Sequence, residues 1–263
     1  MSKTQSNSDP ATTHDTVDAI AASTRRKAFP LRQTFVQQKH EGVSIPGPLA
    51  SLVSAGDKTA LLLYFLVLTK ASTEPWDVSL HSAVWARALG LPEPTERTAR
   101  GRVSKAWTRL VKRKLVARSR RNRTAEFTLL REDGSGNPYT RPKGGSNRFI
   151  QMPHELWTDG PPGGSSRWFE DLSVPELSFL IIARSNLDFF ALPVERGPDY
   201  YGISADTLSR GYRGLRDKNL LEVQRKRIVA PLAPEGYTYE NRYTLKPPFG
   251  PRGQISTVAS IAR

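Results

Sequence analysis

The sequence contains no cysteine. That excludes a disulfide framework and a thiolate zinc site, and a reducing cytoplasm is the expected compartment. Histidine is scarce as well: only His14, His40, His81 and His154 occur. None lies in H-x-H or H-x-x-R spacing, and His154-Glu155 is not followed by the second histidine of a zincin. His81 and His154 read as surface or capping residues beside helix starts. Long apolar runs are missing too. The longest, Ala60 to Leu68, is far short of the about 20 residues needed to cross a bilayer, so no membrane partner is expected. Residues Met1 to Thr24 are polar and rich in Ser and Thr, without a signal-peptide pattern. There is no G-x-x-x-x-G-K-[ST] loop, and the carboxylates are scattered. These absences argue against an enzyme. No catalytic residue, metal, cofactor or small-molecule ligand is expected.

What one stretch lacks is negative charge. Between Arg97 and Arg123 there is no Asp or Glu, yet Arg97, Arg100, Arg102, Lys105, Arg109, Lys112, Arg113, Lys114, Arg118, Arg120, Arg121 and Arg123 all fall there. The whole chain of 263 residues carries 39 Lys and Arg against 25 Asp and Glu, a formal charge of +14. Such a balance favours nucleic acid as partner.

The basic stretch predicts a helix followed by a hairpin. Val103, Trp107, Leu110 and Val111 share one helical face. Arg102, Lys105, Arg109 and Lys112 form a second stripe nearly opposite. A solvated face normally mixes both signs, because like charges one turn apart repel. A face with no acid fits a polyanion. Leu115-Val116 then starts a strand, Arg120 to Arg123 make its tip, and Phe127 and Leu129 alternate on the return. Upstream, Lys58 to Thr69 reads as an apolar helix and Val78 to Leu80 as a short strand. Ser82 to Leu89 reads as a second helix closed by Gly90.

A weaker copy follows about a hundred residues later. Val103-Ser104-Lys105, Trp107, Leu110 and Leu115-Val116 match Leu208-Ser209-Arg210, Tyr212, Leu215 and Leu220-Leu221 at identical internal spacing. Ile45-Pro46 and Leu49 match Met152-Pro153 and Leu156. The stretch 172–184 parallels the helix at Lys58, and Phe189 to Leu192 the short strand. Val194 to Tyr201 reads as a poor helix, interrupted by Gly197 and Pro198. Ser204 is a good cap for a helix from Ala205 to Lys218. Glu222 to Ile228 and Tyr237 to Leu245 form the second hairpin, whose tip is longer and proline-rich.

The order helix, strand, helix, turn, helix, hairpin resembles the winged helix-turn-helix family. The repeat implies two such modules in tandem, a mainly α fold with small β-wings (α+β). The expected boundaries are a flexible basic N-terminal arm at 1–42, a first module at 43–130, a linker at 131–147, a second module at 148–245 and a flexible tail at 246–263. The resemblance implies base-edge contacts from the exposed face of each third helix. In the first module these are Arg97, Thr98, Arg100, Arg102, Lys105 and Arg109; in the second, Ala205, Asp206, Thr207, Ser209, Arg210 and Arg213. It implies phosphate or minor-groove contacts from Arg120, Arg121 and Arg123 in one wing and from Arg225, Lys226 and Arg227 in the other. Aromatics and charges lie on opposite faces of these helices, which favours duplex DNA over single strands. The first module, nearly pure positive charge, is expected to supply more affinity. The second, with Asp206 and Asp217, is expected to be more selective. Tandem winged helices resemble bacterial transcription regulators and plasmid replication initiators. Sequence-specific binding of double-stranded DNA in transcription control is the leading expectation, with an origin-binding initiator of a plasmid or mobile element as the alternative. An RNA-binding or protein-docking module is the second alternative, and a homodimer is left open.

Overall fold

The computed structural model describes residues 9–121, 124–145, 148–186 and 188–250. Helix α1 (Thr13–Ala22) starts on a reciprocal cap: Thr12 Oγ1 accepts from the Asp15 amide, and the Asp15 carboxylate accepts from the Thr12 amide. Strand β1 (Ala28–Arg32) follows, then a 3-10 turn over Gln33–Phe35 and the hairpin of β2 (Gln37–His40) and β3 (Val43–Pro46). Helix α2 (Pro48–Ser54) has proline in its first turn, where the missing N–H costs nothing.

Two similar series then run in order. The first is α3 (Lys58–Lys70), β4 (Asp77–Val78), α4 (Ser82–Ala88), α5 (Arg97–Lys112) and the hairpin β5 (Val116–Arg121)–β6 (Thr124–Leu129). Its sheet order is β4-β6-β5. Between the series lie β7 (Phe149–Pro153), α6 (Glu155–Thr158) and α7 (Trp168–Asp171). The second series is α8 (Val174–Ser185), β8 (Phe190–Ala191), α9 (Gly197–Tyr201), α10 (Ala205–Asp217) and the hairpin β9 (Leu221–Val229)–β10 (Tyr237–Leu245). Its sheet order is β8-β10-β9, the same arrangement. In both, the short strand pairs with the last strand of the hairpin. The chain is thus mixed α+β with small sheets.

Local sequence explains the repeated boundaries. Asp57 caps α3 through the Ala60 amide, and Ser173 caps α8 through the Glu176 amide. The second helix of each series is closed by a glycine in the left-handed region, Gly90 (φ 64°) and Gly202 (φ 63°), where a Cβ would be strained. The poor helix expected before Gly202 is a 3-10 turn at Val194–Arg196 running into α9, whose Pro198 falls in the first turn. Third helices carry matched small residues on their buried faces. Ala106 is fully buried in α5. At the equivalent place in α10, a Cβ on Gly211 would stand 2.4 Å from the Pro175 carbonyl oxygen.

Where the segments expected to be flexible are described, they are built into the fold. Residues 1–8 of the expected arm lie outside the described residues, but 13–46 fold. Strand β1 pairs antiparallel with β7, from Ala28↔Pro153 to Arg32↔Phe149, so the N-terminal segment joins the start of the second series. Helix α1 bridges both halves: Arg87 Nε donates to Thr16 Oγ1 (2.7 Å), and Arg167 grips the Asp18 carboxylate at 2.7 and 2.8 Å. The expected linker also packs, apart from residues 146 and 147, which lie outside the described residues. Its Glu132 is fully buried in an ion pair with Arg32, which also donates to Thr140 Oγ1 (3.0 Å). Burial pushes the Glu132 carboxyl up, against the pull of Arg32. Of the expected tail, 251–263 lie outside the described residues, while Phe249 is fully buried against Trp168.

The physical reason is a shared core. Buried apolar side chains form one cluster from Val17 to Phe249. Trp157 Nε1 reaches across the halves to Thr69 Oγ1 (3.1 Å). No helix among the described residues is long and apolar enough to cross a membrane.

Candidate nucleic-acid interface

Helix α5 buries Ala99, Val103, Ala106, Trp107 and Leu110. Trp107 stacks flat on Phe127 of β6, ring centres 3.5 Å apart, and meets Trp85 of α4 edge-on. That aromatic contact fixes the angle between helix and hairpin. Val111 lies at the margin of the apolar face and is exposed, not buried with the others.

With that face inward, Arg97, Thr98, Arg100, Arg102 and Lys105 stand exposed on the other side. The four basic side chains among them make no ion pair with a described residue. Arg97 and Arg100 lie in the first turn, where the helix dipole already carries positive potential. This placement costs helix stability and attracts an anion. Arg109 differs. It turns back onto the cap of α3, where Nη2 meets Asp57 Oδ1 at 2.8 Å and Nε the other oxygen. The hydrogen bond to Asp57 raises its pKa. Arg113 is likewise tied to Ser51, by Nε to Oγ (2.8 Å) and Nη2 to the carbonyl (3.0 Å). The basic stripe is therefore split: Arg102, Lys105 and Lys112 face solvent, whereas Arg109, with Arg113 beside the stripe, fastens α5 to α3 and α2.

Beside the N-terminal half of α5, between α4, α5 and the hairpin, lies a cavity of about 460 Å³ lined by His81, Trp85, Arg97, Arg100, Arg118 and Phe127 among others. His81 is the cap of α4, its Nδ1 accepting from the Ala83 amide at 3.3 Å. Arg118 sits over the Phe127 ring at 5.8 Å. Arg120 is exposed on β5, Arg121 ends that strand, and Arg123 lies outside the described residues.

The second unit presents the matching face with a different charge balance. Ser204 Oγ accepts from the Thr207 amide (3.2 Å), the cap expected from the sequence. Asp206, Arg210 and Arg213 are exposed, and Ala205, Thr207 and Ser209 are partly so. Arg210 pairs with Asp206 one turn earlier (3.1 Å) and reaches Thr207 Oγ1 (3.4 Å); Arg216 pairs with Asp217 (3.2 Å). Arg225, Lys226 and Arg227 are exposed on β9.

Sequence reading missed three features. Arg118 borders the cavity at the base of the wing. Asp57 and Ser51 claim Arg109 and Arg113 from a distance in sequence that no local pattern reports. Finally, charge and aromatics share a face in the second hairpin, where Arg225 stacks on Tyr239 and Arg227 on Tyr237. The alternation of Arg225, Arg227, Tyr237 and Tyr239 carried that signal. His154, expected as a surface or capping residue, takes the cap position of α6 but is buried, and its side chain makes no cap hydrogen bond. Among the described residues no group of three His, Asp or Glu could hold a metal ion. Compared with protein-family profiles, curated proteins and solved structures, the chain gives no match.

Proposed function

We propose that this chain is a sequence-specific double-stranded DNA-binding protein built on two tandem winged helix-turn-helix modules, acting in transcription control of a bacterial, plasmid or phage genome. The observation that carries the reading is the repeated series of helix, short strand, helix, helix and hairpin, with one strand order in both sheets. In each copy the third helix buries its apolar face and turns a polar, arginine-bearing face outward. A helix of that kind fits the major groove, and the adjoining hairpin reaches the flanking backbone. Arg97, Arg100, Arg102 and Lys105 are free to meet phosphates or guanine edges. Arg109 supports the helix from behind.

A second reading, origin binding in plasmid replication, is favoured by the clamp of α1 and β1 on both halves. Two readers held in one body suit adjacent half-sites at fixed spacing. Selection from a random duplex library, followed by salt titration of the selected site, tests both. The expected result is a defined two-part motif and a log K that falls with log salt at a slope corresponding to about six to ten phosphates. Iterated copies of the motif beside a replication origin would favour the second reading, and a lone copy over a promoter the first. Weak binding without sequence preference would sink both.

A further inference from the structure

The second hairpin is longer than its packing requires. Strand β8 pairs with β10 only at Arg242 and Tyr243. Beyond them β9 and β10 run on as a two-stranded ribbon from the Gln224–Arg242 pair to the Val229–Tyr237 pair. At about 3.4 Å per residue that projects about 17 Å before the tip. The first hairpin runs only from Arg118–Phe127 to Arg121–Thr124 beyond its third strand.

One face of this ribbon carries no acid. Arg225, Arg227 and Val229 lie opposite Asn241, Tyr239 and Tyr237. The Arg225 guanidinium is 4.1 Å from the Tyr239 ring centre and that of Arg227 3.9 Å from Tyr237. Stacking holds each guanidinium plane in place while its N–H edge stays available to a phosphate. The same face, nearer the body, supplies Tyr243, which packs on Tyr212 of α10, so ribbon and third helix share a side.

The tip is braced. The Ala233 amide donates to the Ala230 carbonyl (2.9 Å), the Gly236 amide to Ala233 (2.8 Å) and the Ala230 amide to Gly236 (2.9 Å). Pro231 and Pro234 take the second position of two successive turns, where their fixed φ suits the geometry. Glu235, the one acid of the tip, belongs to the second turn. The first turn offers only Ala230, Pro231, Leu232 and Ala233. Leu232 is completely exposed, at 101% of its reference area, and Val229 beside it at 84%. A large aliphatic side chain thus stands on a rigid turn at the end of an Arg-faced ribbon, where nothing in the fold uses it.

We propose that this ribbon is a DNA-deforming arm: Arg225 and Arg227 follow the backbone, and Leu232 wedges between two base pairs from the minor groove and kinks the duplex. An apolar tip gains nothing from phosphate but gains contact by entering a base step, and such wedges kink DNA by roughly 20–90°. The inference rests on the duplex-binding reading above and adds bending to it.

The test uses the full chain and a short mixed-sequence duplex at low salt, with a donor and an acceptor at its ends and 2-aminopurine placed at successive steps. The wild-type protein should raise energy transfer and brighten 2-aminopurine at one step. Leu232→Ser should bind within about threefold of wild type and do neither, while Leu232→Met should keep both signals. All three should melt at the same temperature, because Leu232 contributes nothing to the core. Binding without bending by the wild-type protein overturns the wedge and leaves duplex binding intact. Undiminished bending by Leu232→Ser also overturns it. A Leu232→Ser chain that bends like wild type but falls from dimer to monomer makes the tip a self-association hook instead. Absence of duplex binding overturns both this inference and the reading beneath it.

Discussion

In α5, Arg97, Arg100, Arg102 and Lys105 stand exposed and make no ion pair with a described residue; in α10, Arg210 is held by Asp206 at 3.1 Å and Arg216 by Asp217 at 3.2 Å. The two helices occupy the same place in the same series of elements. Exposed pairs such as those in α10 contribute little to stability, about 0–1 kcal/mol each. They do reduce the charge left over for a polyanion. Helix α5 leaves these four charges outside any ion pair among the described residues, two of them at the helix end where the dipole opposes them. The hairpins differ in the same sense: one is short with exposed Arg118 and Arg120, the other long with Arg225 and Arg227 already stacked on tyrosine. On the proposed reading, the first unit suits electrostatic grip and the second suits shape.

The sharpest way to break that comparison is to neutralise each helix in turn. Replacing Arg97, Arg100, Arg102 and Lys105 together by alanine should weaken duplex binding about a thousandfold at low salt and flatten the salt slope by about 3 to 4, near 0.9 for each phosphate no longer neutralised. Replacing Arg210, Arg213 and Arg216 should change the slope by about 1 to 2, since two of these are already paired. Filter binding across a salt series reads both. Equal slopes from the two variants would remove the distinction.

The comparison also requires both units to sit in one body. Glu132→Ala leaves Arg32 buried without its partner and should cost about 3–5 kcal/mol, read as the shift of the urea midpoint. Because the core is continuous, the two series should unfold in a single transition in wild type and variant alike. Two separate transitions would mean that the units are independent.

Much of each unit was legible because its signals are local. The apolar run of α3, the periodicity of α5, the alternation in both hairpins and the caps at Gly90 and Ser204 lie within a few residues of the elements they define. The clamp was not legible in the same way. Strand β1 finds its partner about 120 residues away, and Arg32 finds Glu132 where glycine and proline suggested a loop. The Thr12–Asp15 cap of α1 was visible in principle, but the helix after it is only ten residues long and its apolar positions are few. Within the site, periodicity placed Arg109 on the exposed stripe. Asp57, at the start of another helix, took it away.

Packing offers a smaller, two-sided test. Ala106 and Gly211 are equivalent positions on the buried faces of the third helices. Gly211→Ala would put a Cβ 2.4 Å from the Pro175 carbonyl oxygen and 2.8 Å from Phe179 Cβ. Overpacking of that kind costs about 1–3 kcal/mol. Ala106→Gly should cost about 1 kcal/mol through helix propensity, and removal of a buried methyl adds to it. Thermal unfolding of the two variants ranks the two positions. A neutral Gly211→Ala would show that α10 sits loosely on α8.

The smallest effect is a pH dependence that arises at one residue between the two series. His154 follows Met152-Pro153 at the end of β7, and the matching position after Ile45-Pro46 is Gly47, which cannot titrate. His154 is buried, and its Nε2 has no hydrogen-bond partner among the described residues. Burial lowers its pKa, with Arg26 and Lys27 adding repulsion and Glu155 opposing it. The folded state therefore prefers the neutral ring. Above the unfolded value near 6.5 the contribution is fully present; as pH falls below it, the unfolded chain takes up a proton that the folded chain resists, and stability drops. One proton limits the slope to about 1.4 kcal/mol per pH unit. Urea midpoints at a series of pH values from neutral downward should show this decline in wild type and lose it in His154→Asn. An unchanged pH profile in that variant would assign the decline to the carboxylates.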